Sequence, residues 1–275
     1  MKIEKPIRDY TLDLPTDYLS VTQIEEYLRC PRQYYFDYIL KQPRKPNLAL
    51  IEGGAMAKGL ADFHLNKNLT GYSPVSSVSL LEEHIMKEWE NLDPEPRDES
   101  ISTVIQRGKD FLSTYISTSQ AVPRRVRKRS LFHRRRMDWV EGVEEEFRIR
   151  IAGVPVIGFI DLVEEDMITD FKVCKPGSTR YYIPGKSLQL AMYAHATHIP
   201  GVRYYCFLKG ENRTKIIPTT LDLKATRRWL KMVVSSVAKG ISQQVFPPCN
   251  PIHNNLCSTK WCSYWDKCYG KIFQD

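Results

Sequence analysis

Apolar residues recur at two different periods along the chain, and the change of period separates a helical part from a sheet part. Up to about residue 117 the apolar positions follow helical spacing, and Ser20 with Gln23 forms an S-x-x-Q capping box at the first helix. From Val143 onwards, through EEEFRIRI, apolar and polar residues alternate as they do in strands. The first part of the chain is therefore expected to be helical and the second to carry a sheet.

The boundaries of the elements follow from capping residues, prolines and glycines. We expect a helix from Ser20 with a break at Cys30-Pro31, and further helices at about 53–66, 78–91, 100–117, 186–197 and 221–241. Strands are expected at 154–164, 167–173, 202–209 and 213–217. This order predicts an α/β (α+β mixed) fold, with a central mixed β-sheet flanked by helices, an N-terminal helical region and a Cys-rich C-terminal tail.

The candidate chemistry lies in the predicted hairpin from Gly153 to Val173. Asp170 and Lys172 are two residues apart, so their side chains leave the same face of a strand. Asp161 arrives from the neighbouring strand. Two carboxylates and a lysine on one sheet surface can hold a divalent metal ion and a hydrolytic water.

The charge of the chain indicates a polyanionic partner. The net charge is +8 and the pI is near 9.0. Eight of the thirteen positions from 124 to 136 are basic, which favours a phosphate-contacting surface over a solvated helix or loop. The DNA-binding candidates in this run are Arg124, Arg125, Arg127, Lys128, Arg129, Arg134, Arg135 and Arg136.

Cysteines are concentrated at the end of the chain. Four of the seven lie in the last 27 residues, at 249, 257, 262 and 268, a clustering that indicates a metal or cluster site in a reducing compartment. Thiolates suit iron-sulfur clusters and zinc alike, and Cys249, Cys257, Cys262 and Cys268 could form a closed zinc site. Cys174 and Cys206 lie on or beside predicted strands and are expected to be small core residues.

Two function classes are excluded by the sequence. No apolar run approaches the ~18 to 20 residues that span a bilayer, and the N-terminus has no apolar signal core, so we expect a cytoplasmic protein with no membrane partner. Gly185-Lys186-Ser187 looks like the end of a phosphate-binding loop, but the glycine that this motif requires is replaced by Arg180. An ATPase is therefore not expected.

Taken in order, these motifs resemble the PD-(D/E)XK nuclease superfamily, and in particular its RecB-like exonuclease branch, which includes the CRISPR-associated RecB-like exonucleases and the AddB nuclease domain. G-F-I-D at 158–161 and D-F-K at 170–172 match the D…(D/E)-x-K signature, and Q-L-A-M-Y at 189–193 matches the Q-x-x-x-Y motif of the branch. V-T-Q-I-E-E-Y-L-R-C-P after Ser20 and C-x4-C-x5-C at 257–268 resemble its cysteine motifs. The resemblance covers roughly residues 19 to 270.

The resemblance implies a restriction-endonuclease-like sheet and a role for each motif residue. Asp161 and Asp170 would hold Mg²⁺ or Mn²⁺ with the backbone carbonyl of Phe171, Lys172 would orient the water and stabilise negative charge, and Gln189 and Tyr193 would complete the catalytic set. It also implies a 4Fe-4S cluster on Cys30, Cys257, Cys262 and Cys268. A further acidic ligand is expected from Glu144, Glu145 or Glu146.

Two positions depart from the pattern of the branch. Lys58 stands where many members carry a histidine ligand, and His64 lies six residues on, about 240° around the helix. The spacing between Cys257 and Cys262 is x4 where x2 is usual, which leaves Cys249 as a spare ligand. The number of metal ions and the ligand set of the cysteines stay open at this point.

The resemblance implies a metal-dependent DNA exonuclease that acts on single-stranded DNA or DNA ends in recombination, repair or CRISPR-type spacer processing. A helicase, a recombinase or a CRISPR integrase would be its partner. The alternative is a non-catalytic or weakly active DNA-binding module of the same fold, with zinc in place of the cluster. We expect one nuclease domain over 1–275, divided into a mainly helical part (19–140), a core (141–241) and a cluster-binding tail (242–275).

Overall fold

The computed structural model describes residues 14–43, 47–92, 99–129, 137–211, 213–254, 256–259 and 261–270. The described residues divide into two compact units. The first unit is drawn from Met1–Arg44, Arg148–Ile157 and Arg228–Asp275, and the second from Lys45–Phe147 and Gly158–Arg227. The prediction of one nuclease domain stays a prediction.

The first unit begins with a short strand and helices whose boundaries are set by capping. Strand β1 (Leu19–Ser20) leads into helix α1 (Val21–Arg29), where the predicted capping box between Ser20 and Gln23 is formed. Cys30 then caps the short helix α2 (Pro31–Tyr34), and its sulfur accepts a hydrogen bond from the Gln33 N–H. A π-helical turn follows at Tyr35–Ile39. The predicted break at Cys30-Pro31 is confirmed.

Three helices form the N-terminal half of the second unit, namely α3 (Leu48–Asn66), α4 (Pro74–Trp89) and α5 (Ile101–Thr118). Two of them begin four or five residues before the predicted starts, because the side chains of Asn47 and Ser73 each accept a hydrogen bond from a first-turn N–H. Their inner faces meet in one hydrophobic core, around Leu60, Leu81 and Leu112.

Five strands follow in the chain, namely β2 (Arg125–Arg129), β3 (Met137–Glu141), β4 (Val143–Ile151), β5 (Val154–Val163) and β6 (Met167–Cys174). After two 3-10 turns (Pro176–Tyr181 and Pro184–Lys186) come helix α6 (Leu188–Thr197), strands β7 (Gly201–Leu208) and β8 (Arg213–Thr220), and helix α7 (Leu223–Ser242). Among the described strands, six form a sheet of order β1-β5-β6-β7-β8 with β4 pairing β5, and β2 pairs only with β3. The mixed α/β fold class is confirmed.

The pairing of the strands is mixed, and it determines which residues share a face. Strands β5 and β6 form the predicted antiparallel hairpin, β6 and β7 are parallel, and β7 and β8 are antiparallel. Phe171 and Val173 of β6 pack into the core of α3, α4 and α5 together with Phe207. Asp170 and Lys172 alternate with them along the strand and therefore leave the opposite face.

Part of the basic run forms strand β2, and not the helix or loop that was weighed as its solvated alternative. Residues 125–129 pair antiparallel with residues 137–141. Val126, Trp139 and Val140 favour this ladder by composition, since β-branched and aromatic residues have a high propensity for strands. No helix in the described ranges is both long enough and apolar enough to cross a membrane.

Candidate active site and cysteine cluster

The hairpin of β5 and β6 places two aspartates next to each other. In the hairpin, Leu162 pairs with Thr169. Beyond this pair, on the side away from the turn, the Phe171 N–H donates a 2.8 Å hydrogen bond to Asp161 Oδ2. Asp170 is 1% exposed. The hydrogen bond from β6 therefore orients the carboxylate of Asp161, while the carboxylate of Asp170 is enclosed by the protein.

Lys172 lies between this aspartate and helix α6. Its Nζ is 2.6 Å from Asp170 Oδ2 and donates to Gln189 Oε1 over 3.3 Å. Gln189 Nε2 in turn donates to the Tyr193 hydroxyl at 2.7 Å, as the i, i+4 spacing on one helix face permits. The five residues that the sequence singled out as catalytic are thus all in the second unit, and four of them form one chain of polar contacts.

Burial and mutual repulsion perturb the ionisation of the aspartates. Burial, with the charge of Asp170 as the next contribution, raises the pKa of Asp161 to about 8, although Lys172 and the Phe171 N–H act against it. Burial also raises the pKa of Asp170. For Lys172, burial acts to lower the pKa, but the two carboxylates outweigh it, so that the pKa is raised and the ammonium form is favoured.

Tyr204 and Ser187 are site residues that the sequence analysis missed. The Tyr204 ring lies 5.9 Å from Lys172 Nζ, and its hydroxyl donates a 2.7 Å hydrogen bond to Ser187 Oγ. Ser187 is the N-cap of α6, and its hydroxyl also accepts from the Leu190 N–H. No pattern in the sequence identifies Tyr204, because its place opposite Asp170 follows from the parallel register of β6 and β7.

The aspartate pair fits a divalent cation. Both carboxylate oxygens of Asp170 are buried; Oδ1 has no hydrogen-bond partner among the described residues, and Oδ2 forms an ion pair of 2.6 Å with Lys172 Nζ. No group of three or more His, Cys, Asp or Glu side chains in the described ranges forms a metal site. Two carboxylates suffice for Mg²⁺, which retains several waters and takes its remaining ligands from a phosphate substrate.

Two of the three candidate glutamates at the start of β4, Glu144 and Glu145, have different surroundings. Glu145 is 2% exposed and bound by the Arg124 guanidinium, with Nη2–Oε1 at 2.6 Å and Nε–Oε2 at 3.1 Å. Glu144 is exposed, has a left-handed backbone (φ 46°) and acts to raise the pKa of Asp161. A non-glycine residue is strained in that conformation, and such strain is concentrated at functional sites. Of Glu144 and Glu145, Glu144 is the better candidate for a third acid.

The basic run is described only in part. Arg124 is engaged by Glu145, and Arg125 is largely exposed with an ion pair of 3.0 Å to Glu141. The backbone of Arg127, Lys128 and Arg129 lies in β2, but their side chains are outside the described part of the structure. Arg134, Arg135 and Arg136 lie outside the described residues altogether. The DNA contacts expected of this run stay predictions.

The helix that would carry an additional histidine ligand presents other residues. Lys58 of α3 is exposed, and His64 is buried, where its Nε2 shares a 2.8 Å hydrogen bond with the Tyr115 hydroxyl. The rings of Phe63 and Tyr115 pack against His64. These contacts are those of a core histidine.

The cysteine motifs of the two terminal segments meet in the first unit. Cys30, Cys249, Cys257, Cys262 and Cys268 line one cavity together with aromatic residues such as Phe36 and Tyr264. Burial raises the pKa of Cys249 to about 12, and its neighbours Cys30 and Cys257 act in the same direction. The structure thus brings the spare Cys249 into one cavity with the other four cysteines. Thiols have the donor chemistry of an iron-sulfur cluster or of zinc, but as they are placed here no three of these described side chains form a group that could hold a metal ion.

Comparison with known sequences identifies the family. The sequence profile described as "PD-(D/E)XK nuclease superfamily" matches residues 18–269, which include the hairpin, α6 and the cysteine motifs. The chain therefore belongs to the PD-(D/E)XK nuclease superfamily, and by class it is a nuclease. A search of curated protein sequences finds no significant match.

Comparison with solved structures supports the fold. The "Putative exonuclease" from Eubacterium rectale superposes with a TM-score of 0.55 at 12% identity, over 98% of this chain and 99% of that chain. The protein SSO0001 superposes with a TM-score of 0.43 at 12% identity, over 93% of this chain and 87% of that chain. At this identity the first match shows a shared fold, and the second is too weak to carry an argument.

Proposed function

We propose that the chain is a divalent-metal-dependent DNA exonuclease of the RecB-like branch, acting on single-stranded DNA or DNA ends. The observation that carries the proposal is the buried Asp170 carboxylate beside Asp161: its Oδ1 has no hydrogen-bond partner among the described residues, and its Oδ2 lies 2.6 Å from Lys172 Nζ. Asp161 and Asp170, with the Phe171 carbonyl, would hold Mg²⁺ or Mn²⁺, which supplies charge neutralisation for the phosphate and an acidified water. Glu144 is our candidate for a further ligand.

Lys172 acts in this proposal as a positioned cation and not as a base. The two carboxylates favour its ammonium form, and the amide oxygen of Gln189 accepts a hydrogen bond from the ammonium. Tyr193 accepts a hydrogen bond from the Gln189 amide and so fixes which end of the amide faces the lysine. A held ammonium beside the two acids would stabilise the negative charge that develops on the phosphate during attack.

The substrate is inferred from charge and from the resemblance of the motifs. A net charge of +8 favours a polyanion, and the eight basic residues of 124–136 are the candidates for backbone contacts, with Arg124 the weakest of them because Glu145 binds its guanidinium. Recombination, repair or spacer processing, with a helicase, recombinase or integrase that delivers the DNA, is the setting we propose. The 4Fe-4S cluster on Cys30, Cys257, Cys262 and Cys268 belongs to the same proposal, with zinc as its alternative.

The test is cleavage of labelled single-stranded DNA with Mg²⁺ or Mn²⁺. We expect Asp170→Asn and Lys172→Gln to lower the rate at least about a hundredfold, because each removes a group that acts on the phosphate. Asp166→Asn is the matched control, since Asp166 is an exposed carboxylate in the turn of the same hairpin. EDTA should abolish cleavage by the wild-type protein.

A covalently closed single-stranded circle of the same sequence tests the exonuclease assignment. An exonuclease needs an end and should leave the circle intact while it degrades the linear strand. Equal rates on both substrates would make the protein an endonuclease. Wild-type cleavage no faster than that of Asp170→Asn would instead favour the non-catalytic DNA-binding module.

A further inference from the structure

The segment from Pro176 to Lys186 connects two parts of the active site. It follows strand β6, which carries Lys172, and precedes helix α6, which carries Gln189. Neither the motifs nor the proposed mechanism uses its side chains.

The segment is anchored to the active site through Tyr182. The Tyr182 ring packs on the ring of Tyr204, with centroids 5.2 Å apart. Tyr204 contacts Lys172 and donates its hydroxyl hydrogen bond to Ser187, where α6 begins. Pro184 is buried next to this anchor. The conformation of the segment is therefore tied to the same residues that position the catalytic lysine.

The residues on either side of the anchor are presented to solvent. Tyr181 is 69% exposed and Ile183 is 47% exposed. The Arg180 guanidinium lies 4.8 Å from the Tyr181 ring centroid and donates a 2.8 Å hydrogen bond to the Tyr181 hydroxyl. The ring is thus held in position by a cation, and such an aromatic-arginine pair is a platform for an unpaired base.

The surroundings of this platform are positively charged. The sequence has no aspartate or glutamate from residue 171 through residue 210. Of the six lysines and arginines in this range, Lys172, Arg203 and Lys209 form ion pairs with acids outside it, which leaves three for the surface of the segment. Arg180, Lys186 and Lys175 are exposed. Lys215 extends the series, because Lys172 pairs with Cys206 and Cys206 with Lys215, which places it two strands and roughly 10 Å from Lys172 on the same face. Its Nζ also donates to Thr179 Oγ1 at 3.3 Å.

We propose that Pro176–Lys186 is a guide for single-stranded DNA, in which the Tyr181 ring stacks on an unpaired base while Arg180, Lys186 and Lys215 contact the phosphates on either side. Stacking requires an unpaired base, so the guide favours single strands over duplexes. The guide rests on the proposed function, since it takes the nuclease substrate as its ligand. It adds a DNA-binding site to that function and makes stacking on Tyr181 the reason why single-stranded DNA is preferred to duplex DNA.

The first test is binding of a fluorescent single-stranded oligonucleotide in EDTA, measured by anisotropy on the full chain. Tyr181→Ala should weaken binding about tenfold, Tyr181→Trp should restore it, and Tyr181→Ala should leave binding of the duplex unchanged. Tyr18→Ala is the matched control, since Tyr18 is another exposed tyrosine (41%) outside the segment. The thermal midpoint of each variant reports whether it folds as the wild type does.

The second test locates the stacked base. In the wild type, an abasic site at one position of the oligonucleotide should cost about as much affinity as Tyr181→Ala does, and in Tyr181→Ala that abasic site should cost nothing further. Additive losses at every position would overturn the guide. So would wild-type affinity of Tyr181→Ala, or an equal loss on single-stranded and duplex DNA.

The guide and the proposed function can fail separately. Metal-dependent cleavage with an unaltered single-strand affinity in Tyr181→Ala would overturn the guide and leave the nuclease in place. A loss of affinity that follows the abasic position, in a wild-type protein that cleaves no DNA, would support the guide and reject the catalytic proposal.

Discussion

At the scale of single residues, His64 is a buried group whose charge state affects stability. Its Nε2 shares a hydrogen bond with the Tyr115 hydroxyl, and its Nδ1 is buried with no hydrogen-bond partner among the described residues. Burial, with Lys67 and Arg203 acting in the same direction, lowers its pKa from 6.5 to about 3. A proton on Nδ1 would have to be accommodated without an acceptor, so the folded chain keeps the ring neutral.

The depressed pKa predicts a loss of stability in mild acid. Between pH 6.5 and pH 3 the unfolded chain binds a proton at His64 that the folded chain does not, so the free energy of unfolding falls as the pH falls through this window. From pH 8 to pH 5 we expect the wild type to lose about 2 kcal/mol more than His64→Gln. Urea unfolding at both pH values measures the difference.

The matched control for this prediction is His253→Gln, because His253 is exposed. That variant should lose stability with falling pH as the wild type does. If His64→Gln also keeps the wild-type pH dependence, the ring is not the group responsible for the acid sensitivity. Both nitrogens of an exposed histidine can reach water, which is why the control is expected to differ from His64.

At the scale of elements, strand β4 is held to the segment that precedes β2 by Arg124. Besides the two bonds to Glu145, the Arg124 N–H donates to the Val163 carbonyl at 2.8 Å, and the Arg124 carbonyl accepts from the Gly142 N–H at 2.7 Å. The first residue of the basic run thus connects β4 and β5, and its charge is balanced inside the fold.

We predict that Arg124→Met destabilises the protein by about 3 kcal/mol, because the buried carboxylate of Glu145 loses the charge and the two hydrogen bonds of the Arg124 guanidinium. Arg125→Met, at the adjacent and largely exposed position, should change the free energy of unfolding by less than about 0.5 kcal/mol. Urea unfolding of the two variants provides the comparison. Equal effects at the two positions would mean that the pair with Glu145 adds no stability.

At the scale of the whole molecule, the cysteines join segments that are far apart in the chain. Cys30 belongs to the N-terminal segment of the first unit, and Cys249 to Cys268 belong to its C-terminal segment. Other contacts also join the N-terminal and C-terminal segments of this unit, such as the hydrogen bond of 2.5 Å from the Tyr264 hydroxyl to Asp37. A cluster bound there would close a loop of more than 200 residues.

We predict that protein purified without oxygen is brown, bleaches on reduction and contains iron, and that its thermal midpoint falls by at least about 5 °C when the iron is removed. Cys30→Ser should lose the iron and Cys249→Ser should keep it. Colourless protein with stoichiometric zinc, lost in Cys249→Ser and kept in Cys30→Ser, would establish the zinc alternative. Metal analysis and visible absorbance on the same samples decide between the two ligand sets.

Much of the fold could be predicted because its signals are local. The capping box of Ser20, the break at Cys30-Pro31 and the alternation in β5 and β6 depend on neighbours within a few residues. The helix starts were less accurate, since a single side chain such as Asn47 can extend α3 by a turn. The same-face relation of Asp170 and Lys172 is also local, because it follows from the period of a strand.

The sequence by itself determined the mixed α/β class, the order of the elements and the aspartate-lysine pair of β6, since each depends on periodicity along a short stretch of chain. Only the tertiary structure decided that Tyr204 lies beside Lys172, that Arg124 is bound by Glu145 and that Cys249 shares a cavity with Cys30. These contacts join residues 21 to more than 200 positions apart. They depend on strand register and on packing between elements, which no local pattern specifies.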